Sequence, residues 1–140
     1  MLSEMSARRI AVSGLRAQRE RMNIIANNLA NAQTTRMPDG EAFRRQLTLL
    51  QGRQLQSGGR QDEGGVWVSK VVKDMTPLEK VYDPSHPDAD AEGYLSLPNV
   101  NVSTEMVDLI SAQRAYEANI AVLASGSRMR TRALEILQRT

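Results

Sequence analysis

SGLRAQRERMNIIANNLANAQTTRMPDG, residues 13 to 40, reads as an amphipathic helix that stops at a turn. Ala11, Leu15, Gln18, Met22, Ile25, Leu29 and Ala32 recur at alternating steps of four and three, which sets them on one stripe. The pattern predicts a helix from about Glu4 to Ala32, roughly 29 residues and about 43 Å at 1.5 Å per residue. β-branched Thr34 and Thr35 and the turn formed by Pro38, Asp39 and Gly40 keep it from running on. The far end of the chain repeats the pattern. Met106, Leu109, Gln113, Tyr116, Ile120, Leu123, Ser127, Arg130, Leu134 and Leu137 alternate by three and four. They predict a second helix, N-capped by Ser103 with Glu105 in its first turn and ending near Gln138, roughly 35 residues long.

The middle follows other rules. Ala42 to Leu50 reads as a strand, and VWVSKVV within Val66 to Val72 as a stronger one, being rich in β-branched and aromatic residues. The glycine-rich stretch from Gly52 to Gly65 between them is a hairpin tip or loop, and Leu78 to Tyr82 is a third extended piece. Pro84, Pro87 and Pro98 forbid helix in the linker YDPSHPDADAEGYLSLPNVNVSTE, whose Tyr94, Leu95, Leu97, Val100 and Val102 anchor an extended path. The expected architecture is mainly α with a small β-containing insert: long N- and C-terminal helices pairing as an antiparallel coiled coil around a β-hairpin-like middle segment. Residues 1–33 and 103–140 would form one discontinuous helical domain, and 34–102 the insert and linker.

Composition narrows the function. Five aromatic residues in 140 leave few large side chains for an interior, so helix-to-helix burial must carry the stability and the stripes need partners. The absence of cysteine excludes disulfides, thiol catalysis and cysteine-ligated metals. No run reaches the roughly 18 apolar residues of a membrane span, and the start MLSEMSARRI lacks the apolar segment of a cleaved secretory signal. A protein of this kind working outside the cytoplasm would leave by another route. Ten arginines face four acids in residues 1–60, whereas three lysines face nine acids in 61–105. Opposed blocks suit head-to-tail contacts between subunits. The arginines lack interleaved aromatics and a binding motif, so nucleic acid is not an expected partner.

Candidate chemical sites are weak. DADAEG, Asp88 to Gly93, starts like a calcium loop, but its twelfth position is Asn99, not a bidentate Glu, and no helix precedes it. His86, the sole histidine, lies between two prolines with no nucleophile to serve. Without a phosphate cradle, metal cluster or nucleophile motif, no cofactor, metal or enzymatic activity is expected. The unusual feature is Asn23, Asn27, Asn28 and Asn31 within one helix. Asn is a poor helix former, by a few tenths of a kcal/mol or more against Ala, so a merely solvated face would use Glu, Lys or Gln. Asn23, Asn27 and Asn31 stack at i, i+4, i+8 beside the apolar stripe, as an amide ladder that sets register.

These residues carry a resemblance. Ser13 to Gly40, centred on NNLAN with the TTR and PDG that follow, resembles the N-terminal signature of bacterial flagellar rod, hook and related axial proteins. YDPSHPDADAEGYLSLPNVNVSTEMVDLI (Tyr82 to Ile110) and RAYEAN (Arg114 to Asn119) resemble the proximal-rod members in particular. The resemblance implies a structural subunit of the basal-body rod, the periplasm-spanning shaft that passes motor torque to the hook, exported by the flagellar type III apparatus. It implies as partners other copies of the chain, other proximal and distal rod proteins, the rod-base adaptor and the export apparatus. The terminal helices would pair and then pack against neighbours as the inner wall of a tube. Leu15, Met22, Ile25 and Leu29 would meet Met106, Leu109, Tyr116, Ile120 and Leu123, with Asn27, Asn28 and Asn31 setting register. Another axial subunit of the family and a cytosolic coiled-coil adaptor are the alternatives.

Long helices with little separate core are only marginally ordered until neighbours cover their stripes. The isolated chain at micromolar concentration is therefore expected to show far less helix by circular dichroism than the roughly 64 residues of the two predicted helices. A fully helical, cooperatively melting monomer would contradict this.

Overall fold

The computed structural model of the chain describes residues 2–53 and 64–137. Two helices, α1 (Leu2–Ala30) and α2 (Val102–Leu137), enclose four strands in sequence: β1 (Gln46–Arg53), β2 (Gly65–Lys73), β3 (Glu79–Tyr82) and β4 (Tyr94–Leu97). The strands form two separate antiparallel hairpins. The expected α architecture with a small β insert is what the chain adopts. Most of the predicted glycine-rich tip, residues 54–63, lies outside the described residues, as does the end of the second helix beyond Leu137.

α1 and α2 run antiparallel. Gly14 lies against Asn119 and Asn28 against Glu105, so fourteen residues back along α1 match fourteen forward along α2. The seam is lined by small residues: Ala11, Ala17 and Ala112 are buried, with Ile25 the one large apolar side chain among them. This differs in emphasis from the periodicity, which weights bulk. A Cβ on Gly14 would fall 2.9 Å from the Asn119 side chain, whose Nδ2 donates to the Ala115 carbonyl at 2.8 Å. Gly14, which weakens a helix by roughly 1 kcal/mol against Ala, is thus required by close approach. Gln18 Oε1 is a buried acceptor left without a partner among the described residues, a further weakness in the pair.

Two boundaries move. Asn101, not Ser103, caps α2: its Oδ1 accepts the Thr104 N–H at 3.1 Å and its carbonyl accepts the first helical bond from Glu105. Both residue types cap well, and the backbone turns into helix at the earlier one. The first strand begins at Gln46 rather than Ala42, because Ala42 and Phe43 are drawn into the interior, with the Phe43 N–H on the Thr34 carbonyl. β1 pairs with β2 from Gln46↔Lys73 to Arg53↔Gly65, with a bulge between Leu49 and Leu50. The linker stretch read only as extended is strand β4, paired to β3 in register Tyr82↔Tyr94, where the two rings meet edge to face at 5.3 Å.

The first hairpin lies along α1 and is pinned at both ends. Ser13 Oγ accepts the Val66 N–H at 3.0 Å, and Asn28 bonds Gln46. These anchors are fifteen helical residues apart, about 22 Å. Gly65, at φ 148°, sits where a Cβ would collide with the Ser13 side chain, so both its backbone conformation and its position exclude other residues.

In a chain poised near the folding balance, 1 kcal/mol changes the folded population about fivefold. Gly14→Ala is expected to need more trimethylamine N-oxide than the parent to bring in helix. Gly14→Ala with Asn119→Ala is expected to need less, because the propensity gain is then realised. Additive effects of the two substitutions in osmolyte titrations would show that they do not touch.

Candidate assembly site

Among the described residues the two largest fully buried side chains are polar: Asn28 and Glu105, each 1% exposed. They lie 77 positions apart in sequence and meet where α1 ends and α2 begins, Asn28 Nδ2 donating to Glu105 Oε2 at 2.9 Å. The second Asn28 amide hydrogen goes to the Gln46 carbonyl at 2.9 Å, and Asn28 Oδ1 accepts the Gln46 N–H at 2.9 Å. The side-chain amide thus pairs with Gln46 as a neighbouring strand would, at the residue where β1 starts. Three of its four hydrogen-bonding positions are used. Asp could supply neither donor, and Gln would be a methylene too long.

The other Glu105 oxygen accepts from Arg45 Nε at 2.5 Å. Arg45 Nη2 reaches Asp108 Oδ2 at 3.2 Å, and Arg21 Nη2 reaches Asp108 Oδ1 at 3.1 Å. Two guanidiniums and two carboxylates therefore close a neutral network across α1, α2 and the approach to β1. Pairing and hydrogen bonding are the conditions under which charge can be buried, since desolvation costs several kcal/mol per ion. The Arg45 backbone is held as well. Its N–H donates to Asn99 Oδ1 at 2.7 Å, its carbonyl accepts the Asp74 N–H at 2.7 Å, and Asn99 Nδ2 donates to the Asp74 carbonyl at 3.1 Å.

The neighbouring asparagines form a chain on the outer side. Asn31 Nδ2 donates to the Asn27 carbonyl at 2.9 Å and to Asn27 Oδ1 at 3.1 Å, Thr34 Oγ1 donates to Asn31 Oδ1 at 3.1 Å, and Asn27 Nδ2 contacts Gln46 Oε1 at 3.3 Å. They close the last turn of α1 and hand the chain to the insert. Thr35 Oγ1 then ties it to Asp88 at 2.7 Å, with Arg36 nearby.

The acidic linker is occupied by turn chemistry. Asp90 Oδ1 accepts the N–H groups of Glu92 and Tyr94, at 3.0 and 2.8 Å, and His86 Nδ1 accepts the Asp88 N–H at 3.1 Å. Hydrogen bonds from Ser85 hold the Asp83 carboxyl below its ordinary range, as those from Thr76 hold Asp74. Both depressed carboxylates support their turns above the usual aspartate pKa of about 3.9 and lose that contribution as pH falls through the folded value.

Of the residues singled out from sequence, Ile25 and Asn28 are buried, and Leu15, Met22, Leu29, Asn31, Leu109, Tyr116 and Leu123 are half-buried. Asn27 is exposed, and Met106 and Ile120 turn about half their surface to solvent. The structure brings Asn27 and Asn28 to Gln46, with Asn31 bonded to Asn27. Sequence reading missed Arg45, Asn99, Arg21 and Asp108, and it placed Glu105 only as a first-turn acid. The composition of Asn28 and its neighbours was a signal, whereas the pairing with Glu105 had none.

Two family models match, and they cover the two halves of this junction. Residues 9–36 are similar to the Flagella basal body rod protein family, and residues 91–136 to the Flagellar basal body rod FlgEFG protein C-terminal family. Along nearly the whole chain there is similarity to the flagellar basal-body rod protein FlgC of Borreliella burgdorferi, at 45% identity covering 92% of this chain and 94% of the relative. The protein of that name from Salmonella typhimurium is 42% identical over 92% and 94% of the two chains, and that from Bacillus subtilis 41% over 91% and 93%.

Asn28→Asp preserves shape but sets a second carboxylate against Glu105 and the Gln46 carbonyl. It is expected to destabilise the fold by about 3 kcal/mol or more, seen as loss of osmolyte-induced helix. Glu105→Leu combined with Arg45→Met is expected to cost less than the sum of the single changes. Additivity would show that the pair is not coupled.

Proposed function

The chain belongs to the FlgC family of flagellar basal-body rod proteins, and from this we propose that it is a structural subunit of the rod rather than an enzyme. The observation that carries the reading is identity above 40% to FlgC proteins from three distant bacteria over more than nine-tenths of this chain. The similarity includes the linker as well as the two helices. No helix of the described residues is long and apolar enough to cross a membrane.

Physical features support an assembling subunit. Beyond the small interior, α2 presents Val102, Met106, Val107, Ile110, Ile120, Val122, Met129 and Leu134 to solvent. So much large apolar surface on one helix marks a site of protein contact. Copies of this chain and other rod proteins, proximal and distal, with the rod-base adaptor, are the partners of that surface. Met106 and Ile120 serve it as contact residues and exposed Asn27 is a further contact on α1, while Leu15, Met22, Ile25, Asn28, Leu29, Asn31, Leu109, Tyr116 and Leu123 shape the helix pair. An interior this lean unfolds readily, which suits passage through the flagellar type III export apparatus and order gained on arrival. The rod then carries motor torque to the hook.

A strain lacking this chain is expected to have neither hook nor filament by electron microscopy, and the parent gene to restore both. Asn27→Leu is expected to keep the helix content of the isolated chain within a tenth of the parent yet restore motility poorly. Full restoration of swimming in soft agar would remove Asn27 from the subunit contact.

A further inference from the structure

One face of α1 is left uncovered by both α2 and the first hairpin. Arg8, Arg16, Arg19 and Asn23 recur along it at steps of eight, three and four, and all four are exposed. The three arginines make no salt bridge among the described residues, although Glu20 lies one turn from Arg16. Two like charges three residues apart, as at Arg16 and Arg19, weaken a helix. Asn23 is a poor helix former, and its side chain makes no hydrogen bond among the described residues. Nothing within the described chain offsets the cost of this stripe.

The tip of the second hairpin, between β3 and β4, has the opposite charge. The Asp83 N–H donates to the Gly93 carbonyl at 3.0 Å and the Asp90 N–H to the Tyr94 carbonyl at 2.9 Å, which gathers Asp83, Asp90 and Glu92 into one turn region. None of the three makes a salt bridge among the described residues, and no Lys or Arg occurs from Val81 to Gln113. Asp83 and Asp90 each commit Oδ1 to the turns, whereas the Glu92 carboxylate takes no part in them. Beside these acids the rings of Tyr82 and Tyr94 are 64% and 44% exposed. Carboxylates next to open aromatic faces suit guanidinium groups, which bond the former and stack on the latter.

The two patches of one copy cannot reach each other. Asp88 is bonded to Thr35, and Thr34 to Asn31, so the hairpin tip sits beyond the C-terminal end of α1. Arg19 lies eleven residues back from Ala30, about 16 Å along the helix, and Arg8 about 33 Å. Each patch therefore needs a partner outside its own chain. Arg128 and Arg132 on α2 are a second basic pair, but they stand among the exposed Met129, Leu134 and Ile136, a surface for apolar contact.

We propose that the α1 stripe Arg16, Arg19, Asn23 of one copy seats the tip of the second hairpin of another copy, with Glu92 and Asp90 on the guanidiniums and the tyrosine rings beside them. The two patches differ and lie at opposite ends of α1, so each bound copy keeps one of each free and the contact repeats head to tail along an open screw. An exposed ion pair holds little by itself, and the contact serves to select which faces meet. This rests on the rod-subunit reading and names surfaces by which copies recognise one another.

The test is a charge exchange in the full-length chain, with osmolyte present and oligomers followed by sedimentation. Arg16→Glu, Arg19→Glu and Glu92→Arg are each expected to weaken association at least threefold while helix content stays within a tenth of the parent. For at least one arginine, the chain that combines its reversal with Glu92→Arg is expected to regain at least half of the parent's association. Failure of both combined chains to exceed their single variants overturns the proposal, as does recovery of Glu92→Arg by Arg128→Glu in place of either α1 reversal. Lost hooks in a deletion strain carrying the Arg16→Glu, Arg19→Glu gene, with sedimentation unchanged, would assign the stripe to a different rod protein and overturn the second copy as occupant. Hooks restored by that gene would overturn the contact and leave the rod reading intact. Hooks that persist without any copy of the gene would instead overturn the rod reading.

Discussion

A carboxylate buried to 1% exposure cannot be accommodated by one segment of chain alone, and the fold is arranged around satisfying Glu105. Its partners come from the end of α1, through Asn28, and from the approach to β1, through Arg45. Arg45 in turn is positioned by Asn99 and by Asp74, which belong to the stretches before α2 and after β2. No subset of these segments can complete the network, and a partly satisfied buried network is worse than none. Helices, first hairpin and linker therefore become ordered together or not at all. Small apolar residues line the seam, and the polar keystone exists only when distant segments have converged.

The same junction assigns different roles to the two helices. α1 is flanked by α2 on one side and by the hairpin on another from Ser13 to Asn28, while Arg16, Arg19, Glu20, Asn23 and Asn27 stay exposed. α2 has a covered side, marked by Glu105 and Ala112, and a broad apolar surface facing outward. Of the two helices, α2 carries nearly all the exposed large apolar side chains, with Ile10 the one on α1 among the described residues. Charge is divided as well, since the linker and the start of α2 lack cations while the end of α2 carries three arginines.

Legibility in the sequence followed the range of the interactions. Both long helices and the β-rich insert were readable, because periodicity and propensity are local. The phase of the seam was harder. Heptads numbered on Leu15, Met22 and Leu29 follow bulk, whereas the closest approach is made by Ala11, Gly14, Ala17 and Ala112, residues whose importance comes from what they lack. The cap at Asn101 was missed because Asn101 and Ser103 are equivalent by propensity, and only the path of the backbone chooses. The four asparagines were conspicuous, being unfavourable in a helix without compensation, but sequence could not say which one is buried. That depends on Glu105, 77 positions away, and on a backbone pair at Gln46.

Why the keystone is polar follows from the seam it locks. A well-packed apolar cluster of equal volume would be as stable or more so, because burying ions costs much of what their attraction returns. What it would lack is discrimination. Ala11, Gly14 and Ala17 against Ala112 and Ala115 form a seam of small residues, whose bulk fixes the register little outside the Gly14–Asn119 contact. Sliding α2 so that Asn28 faced Ala112 would leave the amide without its carboxylate and Glu105 beyond the end of α1, each buried or exposed without its partner. The penalty for that slip is several kcal/mol, larger than any difference in apolar contact along such a seam. A buried asparagine and glutamate that satisfy each other in only one register of α1 against α2 disfavour every other register of the pair.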